Sequence, residues 1–176
     1  MCVPEKPLRV PWESCLTLGA DFNYAYGDHY KSPRELVNLL VNIVAKGGNM
    51  ALNVSPQPDG RIPVEAWESL RGLGVWMQTY GEAIYGTRIC APYQSGNLAF
   101  TQKGDTVYAI RLYPEEGEAV EEKLLIPYQG KIRGISMVDT KKEAEWKMTE
   151  EGIQVVIPQE YREGETPIAI VWKIEQ

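Results

Sequence analysis

The chain has 176 residues, 44% of them hydrophobic, with ten Tyr and five Trp, which is enough to fill a core and excludes disorder as its main state. Eighteen Lys and Arg against 24 Asp and Glu leave a net charge of -6. That is the reverse of a phosphate-seeking surface, so neither nucleic acid nor an anionic membrane is expected as a partner.

Pro4, Pro7 and Pro11 interrupt the first stretch, which lacks the apolar core of a signal peptide, and no later run approaches the ~20 apolar residues of a membrane span. The first clear element opens at Ser32, with Pro33 at the first helical position, Glu35 at the capping-box position and Gly47 as the stop. Leu36, Leu39, Leu40, Ile43 and Val44 recur at helical spacing, and Val37 and Val41 widen the stripe. The short run Asn49 to Val54 reads as a parallel strand buried on both faces. A turn-rich loop, SPQPDGRIP, leads to Pro63 and a second helix with Trp67, Leu70, Gly74 and Met77 as its core face, ending near Gly81. Helix, strand, loop and helix in that order make a βα repeat of a parallel sheet or barrel.

Beyond about Thr87 the period falls from 3.6 to 2. Leu98 to Thr101, Thr106 to Leu112, Lys123 to Pro127, Lys131 to Val138, Ile153 to Pro158 and Pro167 to Ile174 read as strands between Gly- and Glu-rich turns. The fold class expected is therefore α/β followed by all-β, with residues 1–92 as the first body and 93–176 as an antiparallel β domain. A closed (β/α)8 barrel runs to about 250 residues, so the α/β part holds only a few of its units. The chain reads as the C-terminal portion of something longer.

His29 is the only histidine, and Cys2, Cys15 and Cys90 are too scattered for a disulfide framework or a Cys-x-x-Cys pair. No metal site is expected, and the thiols read as incidental. Tyr108, Tyr113, Trp146 and Trp172 alternate within strands and are expected in the core rather than on a sugar-stacking face. Glu115 to Glu122 is expected as a solvated turn.

PWESCLTLG at 11–19, YKSPRELVNLLVNIVAKGGN at 30–49, LNVSPQPDGRIP at 52–63 and YGEAIYGT at 80–87, in that order and spacing, resemble the α-L-fucosidases of glycoside hydrolase family 29. The resemblance is strong over 11–87, and the β region matches only in kind. It implies the C-terminal βα units of a (β/α)8-like barrel followed by a C-terminal antiparallel β-sandwich, and retaining removal of terminal α-linked L-fucose from a fucosylated glycan without metal or cofactor, with the chain alone expected to be inactive. The alternative reading is a stand-alone carbohydrate-binding or structural β-sandwich module without catalysis. Oligomeric state and compartment stay open.

Retaining hydrolysis uses two carboxyl groups about 5 to 5.5 Å apart, one a nucleophile and one an acid/base. The resemblance places the nucleophilic aspartate upstream of Trp12-Glu13, where this chain has only Glu5. It places the acid/base at Asp28, with Glu13 and Asp21 as fallbacks and a plain Gly-Asp turn as the other reading of Asp28. Many members carry Ser-Trp-Gly-Tyr where this chain has Asp21, Phe22, Asn23 and Tyr24, which makes Phe22 and Tyr24 substrate-binding candidates. Trp12 and Glu13 are expected at the ligand-facing C-terminal rim of a barrel strand, with Asn49 and Met50 against the fucose methyl. Asn53 is expected to satisfy backbone groups.

Overall fold

The computed structural model describes residues 3–176, so Cys2 lies outside the described residues. The chain divides into two compact units, Met1–Gln78 and Thr79–Gln176, earlier than the Pro92 boundary read from the sequence. The reason lies in the second unit. Its first residues are tied into their own sheet: Thr101 Oγ1 donates to Ala83 O, and the amides of Arg88 and Gln102 exchange hydrogen bonds with each other's carbonyls.

In the first unit β1 (Glu13–Thr17) and β2 (Asn49–Asn53) pair in parallel, from Glu13 beside Asn49 to Thr17 beside Asn53. The helix α1 (Pro33–Ala45) makes the crossover. Its limits are local chemistry. Ser32 accepts from the Glu35 amide while the Glu35 carboxylate accepts from the Ser32 amide, and Gly47 takes the left-handed conformation (φ 79°) that ends a helix. The Ser32 amide is also the main reason that the Glu35 carboxyl titrates below its ordinary value.

Burial of α1 differs from the expected stripe. Leu36, Val37, Val41, Ile43 and Ala45 are buried, whereas Leu39, Leu40 and Val44 are half-buried. In β2 no residue is fully buried, against the both-faces burial expected for a parallel strand. α2 (Val64–Tyr80) is rotated relative to its predicted core face. Ala66, Leu70 and Leu73 join Leu18, Leu36 and Leu52 in a small apolar cluster, and Trp67 is left 53% exposed. Gly72 explains the choice of face, because a Cβ there would collide with the Pro33 ring at the start of α1.

The second unit opens with a 3-10 turn at Gly81–Ala83. It then forms β3 (Gln94–Ser95), β4 (Leu98–Lys103), β5 (Thr106–Leu112), β6 (Lys123–Ile126), β7 (Gly134–Met137), β8 (Trp146–Thr149), β9 (Gly152–Val156), a one-turn helix α3 (Gln159–Arg162) and β10 (Ala169–Glu175). All of its pairs are antiparallel, in sheets ordered β3-β4-β5-β10-β7 and β6-β9-β8. β3 and β8 have no counterpart in the sequence reading. Lys147 and Met148 are exposed in β8, so that strand lacks the alternation that would mark it.

Residues of both sheets, among them Phe100, Val107, Ile126, Ile153, Val155 and Trp172, share one core. Tyr108, Tyr113 and Trp172 are buried, as their alternation implies, and Trp146 packs against that core. The acidic run is more than a solvated turn. Glu118 and Glu121 both bind Arg111, at 3.1 and 2.8 Å, and Tyr113 donates to Glu121. No helix of the described residues is long and apolar enough to cross a membrane.

Candidate functional site

Parallel strands deliver ligand-facing residues beyond their C-terminal ends, so the direction of β1 and β2 sorts the candidates. Trp12, Glu13, Asn49 and Met50 lie where the strands begin, because the Trp-Glu pair precedes or starts β1 and the Asn-Met pair starts β2. The expected placing of Trp12 and Glu13 at the C-terminal rim is therefore corrected. The indole Nε1 of Trp12 donates to Lys46 O, its carbonyl accepts from the Asn49 amide, and its ring fills the space a Cβ on Gly48 would need. These are contacts of a residue that seals the base of the strand pair.

The opposite end is built by the loop that leaves β1. Leu18 extends the ladder by donating to Asn53 O, and Lys31 returns the chain by donating its amide to Leu18 O and its ammonium to Thr17 O and Gly19 O. Asp28 closes this loop. The Ala20 amide is shared between Oδ1 (3.1 Å) and Oδ2 (3.2 Å), and the His29 amide donates to Oδ1 at 2.8 Å. Gly19 is required here, since a Cβ would overlap Asp28 Oδ2. A carboxylate has about four acceptor positions, so Oδ2, with only a shared donor, keeps room for a further partner. The same clamp is also what a purely structural turn aspartate makes.

Two hollows meet at Asp28. One, of about 350 Å3, is lined by Asp28, His29, Tyr30, Pro33, Glu65, Glu68 and Ser69. The other, of about 250 Å3, is lined by Tyr24 to Asp28, Tyr30, Gln57, Pro63 and Glu65. Asp28, Tyr30 and Glu65 border both. Their proximity is felt electrostatically: the Tyr30 phenol is pushed above its ordinary pKa, by desolvation first and then by Asp28, Tyr24 and Glu65.

Of the sequence candidates, the structure brings Tyr24 to Asp28. Phe22 does not line either hollow. Its side chain is 51% exposed, and its carbonyl is held by Asn53 Nδ2 and Ser55 Oγ, so Asn53 does satisfy backbone, as expected. Asp21 is exposed outside both hollows. Tyr30, Gln57 and Glu65 were missed. Their signal was positional: Tyr30 and Gln57 lie in the connections that leave β1 and β2, where parallel folds carry sites, and Glu65 stands in the first turn of α2 just beyond. Among the described residues, no group of three or more His, Cys, Asp or Glu side chains is placed to hold a metal ion.

Comparison with known proteins bears on the same elements. The family model described as alpha-L-fucosidase matches residues 2–82. An alpha-L-fucosidase of Branchiostoma floridae is 32% identical over 84% of this chain, which spans 34% of that relative. Alpha-L-fucosidase isoenzyme 1 of Paenibacillus thiaminolyticus superposes with a TM-score of 0.86 at 26% identity, covering 99% of this chain and 43% of its own. The Thermotoga maritima alpha-fucosidase in complex with fucose gives 0.82 at 30% identity, covering 97% and 41%. The chain therefore spans about a third of the length of the curated relatives it matches along most of its own.

Proposed function

We propose that this chain, which belongs to the α-L-fucosidase family, supplies the acid/base side of a retaining exo-α-L-fucosidase acting on fucosylated glycans. In this reading α1, α2 and the β1-β2 pair are the C-terminal βα units of a (β/α)8-like barrel, and the two antiparallel sheets are the C-terminal β-sandwich. The nucleophilic aspartate comes from barrel strands that precede Trp12. The first body, expected as residues 1–92, narrows to 1–78.

One observation carries the assignment of Asp28: it is the carboxylate of the rim loop that borders both hollows. Held through Oδ1 by the Ala20 and His29 amides, it presents Oδ2 as the oxygen that carries the proton. That proton passes to the glycosidic oxygen as the C–O bond breaks and the nucleophile takes the anomeric carbon. In the second half-reaction Oδ2 removes a proton from the water that releases fucose, so the side chain ends as it began. Tyr24 supplies an apolar sugar face. Phe22 keeps a secondary place at the loop tip, and Asn49, Met50, Trp12 and Glu13, at the far end of the strands, are left out of the site.

The test uses the chain joined to the upstream barrel part of a related enzyme. Asp28→Ala should slow fucosides with poor leaving groups by about 10^2 to 10^4-fold and activated aryl fucosides far less. Azide should restore turnover and yield a fucosyl azide, because a small anion needs no general base. Equal loss on both substrates with no azide rescue would make Asp28 a loop-closing residue only.

A further inference from the structure

A general acid works only while its carboxyl stays within hydrogen-bond reach of the oxygen it protonates, so the group that fixes Asp28 bears on the rate. Residues 18–32, which join β1 to α1, contain neither helix nor strand, and from Ala20 to Gly27 all but Tyr24 are exposed. Packing alone cannot fix such a loop. Its outgoing limb is tied at Phe22 O by Asn53 and Ser55. Its returning limb is tied where Asp28 and Lys31 meet the end of β1, with Tyr30 packed on the Leu18 cluster beside them.

Both side chains grip one peptide group. Half-buried Lys31 donates from Nζ to Thr17 O at 2.7 Å and to Gly19 O at 3.3 Å. The Gly19 carbonyl and the Ala20 amide belong to the same planar trans unit. On its other side that amide donates to Asp28, at 3.1 Å to Oδ1 and 3.2 Å to Oδ2. A turn of this plane would therefore break the Lys31 and Asp28 bonds together. Glycine makes such a turn easy, because no Cβ resists it, and a stiffer residue does not fit at Gly19, where a Cβ would overlap Asp28 Oδ2. The ammonium supplies the stiffness that the glycine lacks. It is itself anchored to β1 by the short bond to Thr17 O, while the Lys31 amide donates to Leu18 O at 2.9 Å.

Resting on the reading of Asp28 as acid/base, we infer that Lys31 is a positioning residue for the reaction: by fixing the Gly19-Ala20 peptide plane, its ammonium aims the Ala20 amide at the Asp28 carboxylate and so sets where Oδ2 stands. Lys31 borders neither hollow at Asp28. It acts through the carboxylate and not on the sugar.

Lys31→Met keeps the apolar stem and removes the charge. In the 176-residue chain it should speed hydrogen exchange at the Ala20 amide, while the amides of Val41 and Ile43, buried in α1, exchange as before. Unchanged exchange at Ala20 would mean that the ammonium does not fix the plane, and lost protection throughout α1 would make Lys31 a general support of the fold; either result overturns the inference. In the joined enzyme Lys31→Met should slow fucosides with poor leaving groups by roughly 10 to 10^2-fold, the cost of misplacing a catalytic group by about 1 Å. The loss should fall on kcat rather than KM, and activated aryl fucosides should lose far less. A double-mutant cycle separates positioning from bulk structure. Because Lys31 acts through Asp28, Lys31→Met added to Asp28→Ala should cost nothing further. An added loss as large as in the wild-type background overturns the inference. Asp28→Ala alone, with its azide rescue, decides the acid/base reading, and exchange at Ala20 involves no chemistry, so failure of one reading is not mistaken for failure of the other.

Discussion

The two units solve the burial problem differently. In residues 79–176 each sheet gives one face to a shared core, and Phe100, Ile126, Ile153, Ile170, Trp172 and Ile174 are all fully buried. In the first unit the parallel pair buries only Ser14 fully among its strand residues, while Leu39, Leu40, Val44 and Leu52 stay half-buried and Trp67 and Val75 are exposed on α2. An antiparallel sheet needs cover on one face, whereas a parallel strand needs it on both. A few βα units cannot supply that cover for themselves, which is why the strand pair and helices of the first unit stay half-covered, while the second unit, though it exposes Tyr85, Ile89, Leu125 and Met148, closes a core of its own.

The largest expected consequence is in proteolysis. At about 25 cal/mol per Å2 of apolar area left in water, an uncovered helix face forfeits several kcal/mol of a margin that is only about 5 to 15 kcal/mol for a whole domain. Limited digestion of the chain should cut within residues 3–78 first and leave a resistant piece beginning near Thr79. Equal resistance of both units in a dilute monomeric sample would break the comparison.

Core truncation sharpens it. Phe100→Ala, in the shared core, should cost about 3 to 5 kcal/mol in urea unfolding followed by far-UV circular dichroism. Leu52→Ala, on half-covered β2, should cost well under the about 2 to 5 kcal/mol of a fully buried leucine. Similar costs for the two would mean that β2 is covered as well as β4.

Alkali should also separate the units. In the second, Tyr80 and Tyr161 both donate to Asp139 Oδ2, at 3.0 and 2.7 Å, Tyr108 donates to Glu82 and Tyr113 to Glu121. Burial first and the neighbouring carboxylate next raise all four phenols, Tyr108 to about 12 and the others further. A folded-state pKa above the unfolded value near 10 gives stability that is complete below about pH 10 and is lost as pH climbs through the folded value. The second unit should therefore weaken from about pH 10 upward, and Asp139→Ala, which removes the carboxylate to which both Tyr80 and Tyr161 donate, should cost about 1 to 3 kcal/mol at neutral pH. A flat stability between pH 9 and 12 would remove these phenols from the account.

The smallest effect is at the helix cap. Ser32→Ala should cost about 1 kcal/mol, read as faster hydrogen exchange at the start of α1. The Glu35 partner titrates below its usual value, so its share of the cap is present above the ordinary carboxylate range and is lost as pH falls through the depressed one. Exchange at α1 that ignores both the mutation and acid would mean that packing alone fixes the helix start.

By itself the sequence determined whatever rests on groups a few residues apart. The Ser32-Pro33-Glu35 cap and the Gly47 stop are set within a turn or so of the chain, and the strung motifs of 11–87 carry the family resemblance. Only the tertiary structure decided matters of direction and distance along the chain. The parallel pairing of β1 with β2 put Glu13 and Asn49 side by side at the starts of their strands, Gly72 seats against Pro33 while Trp67 is left outside, and folding brought Glu65 beside Asp28 and Tyr30. The physical reason is that a capping bond is fixed by neighbours in sequence, whereas the end of a strand and the lining of a hollow are fixed by partners dozens of residues away, whose identity no local pattern records.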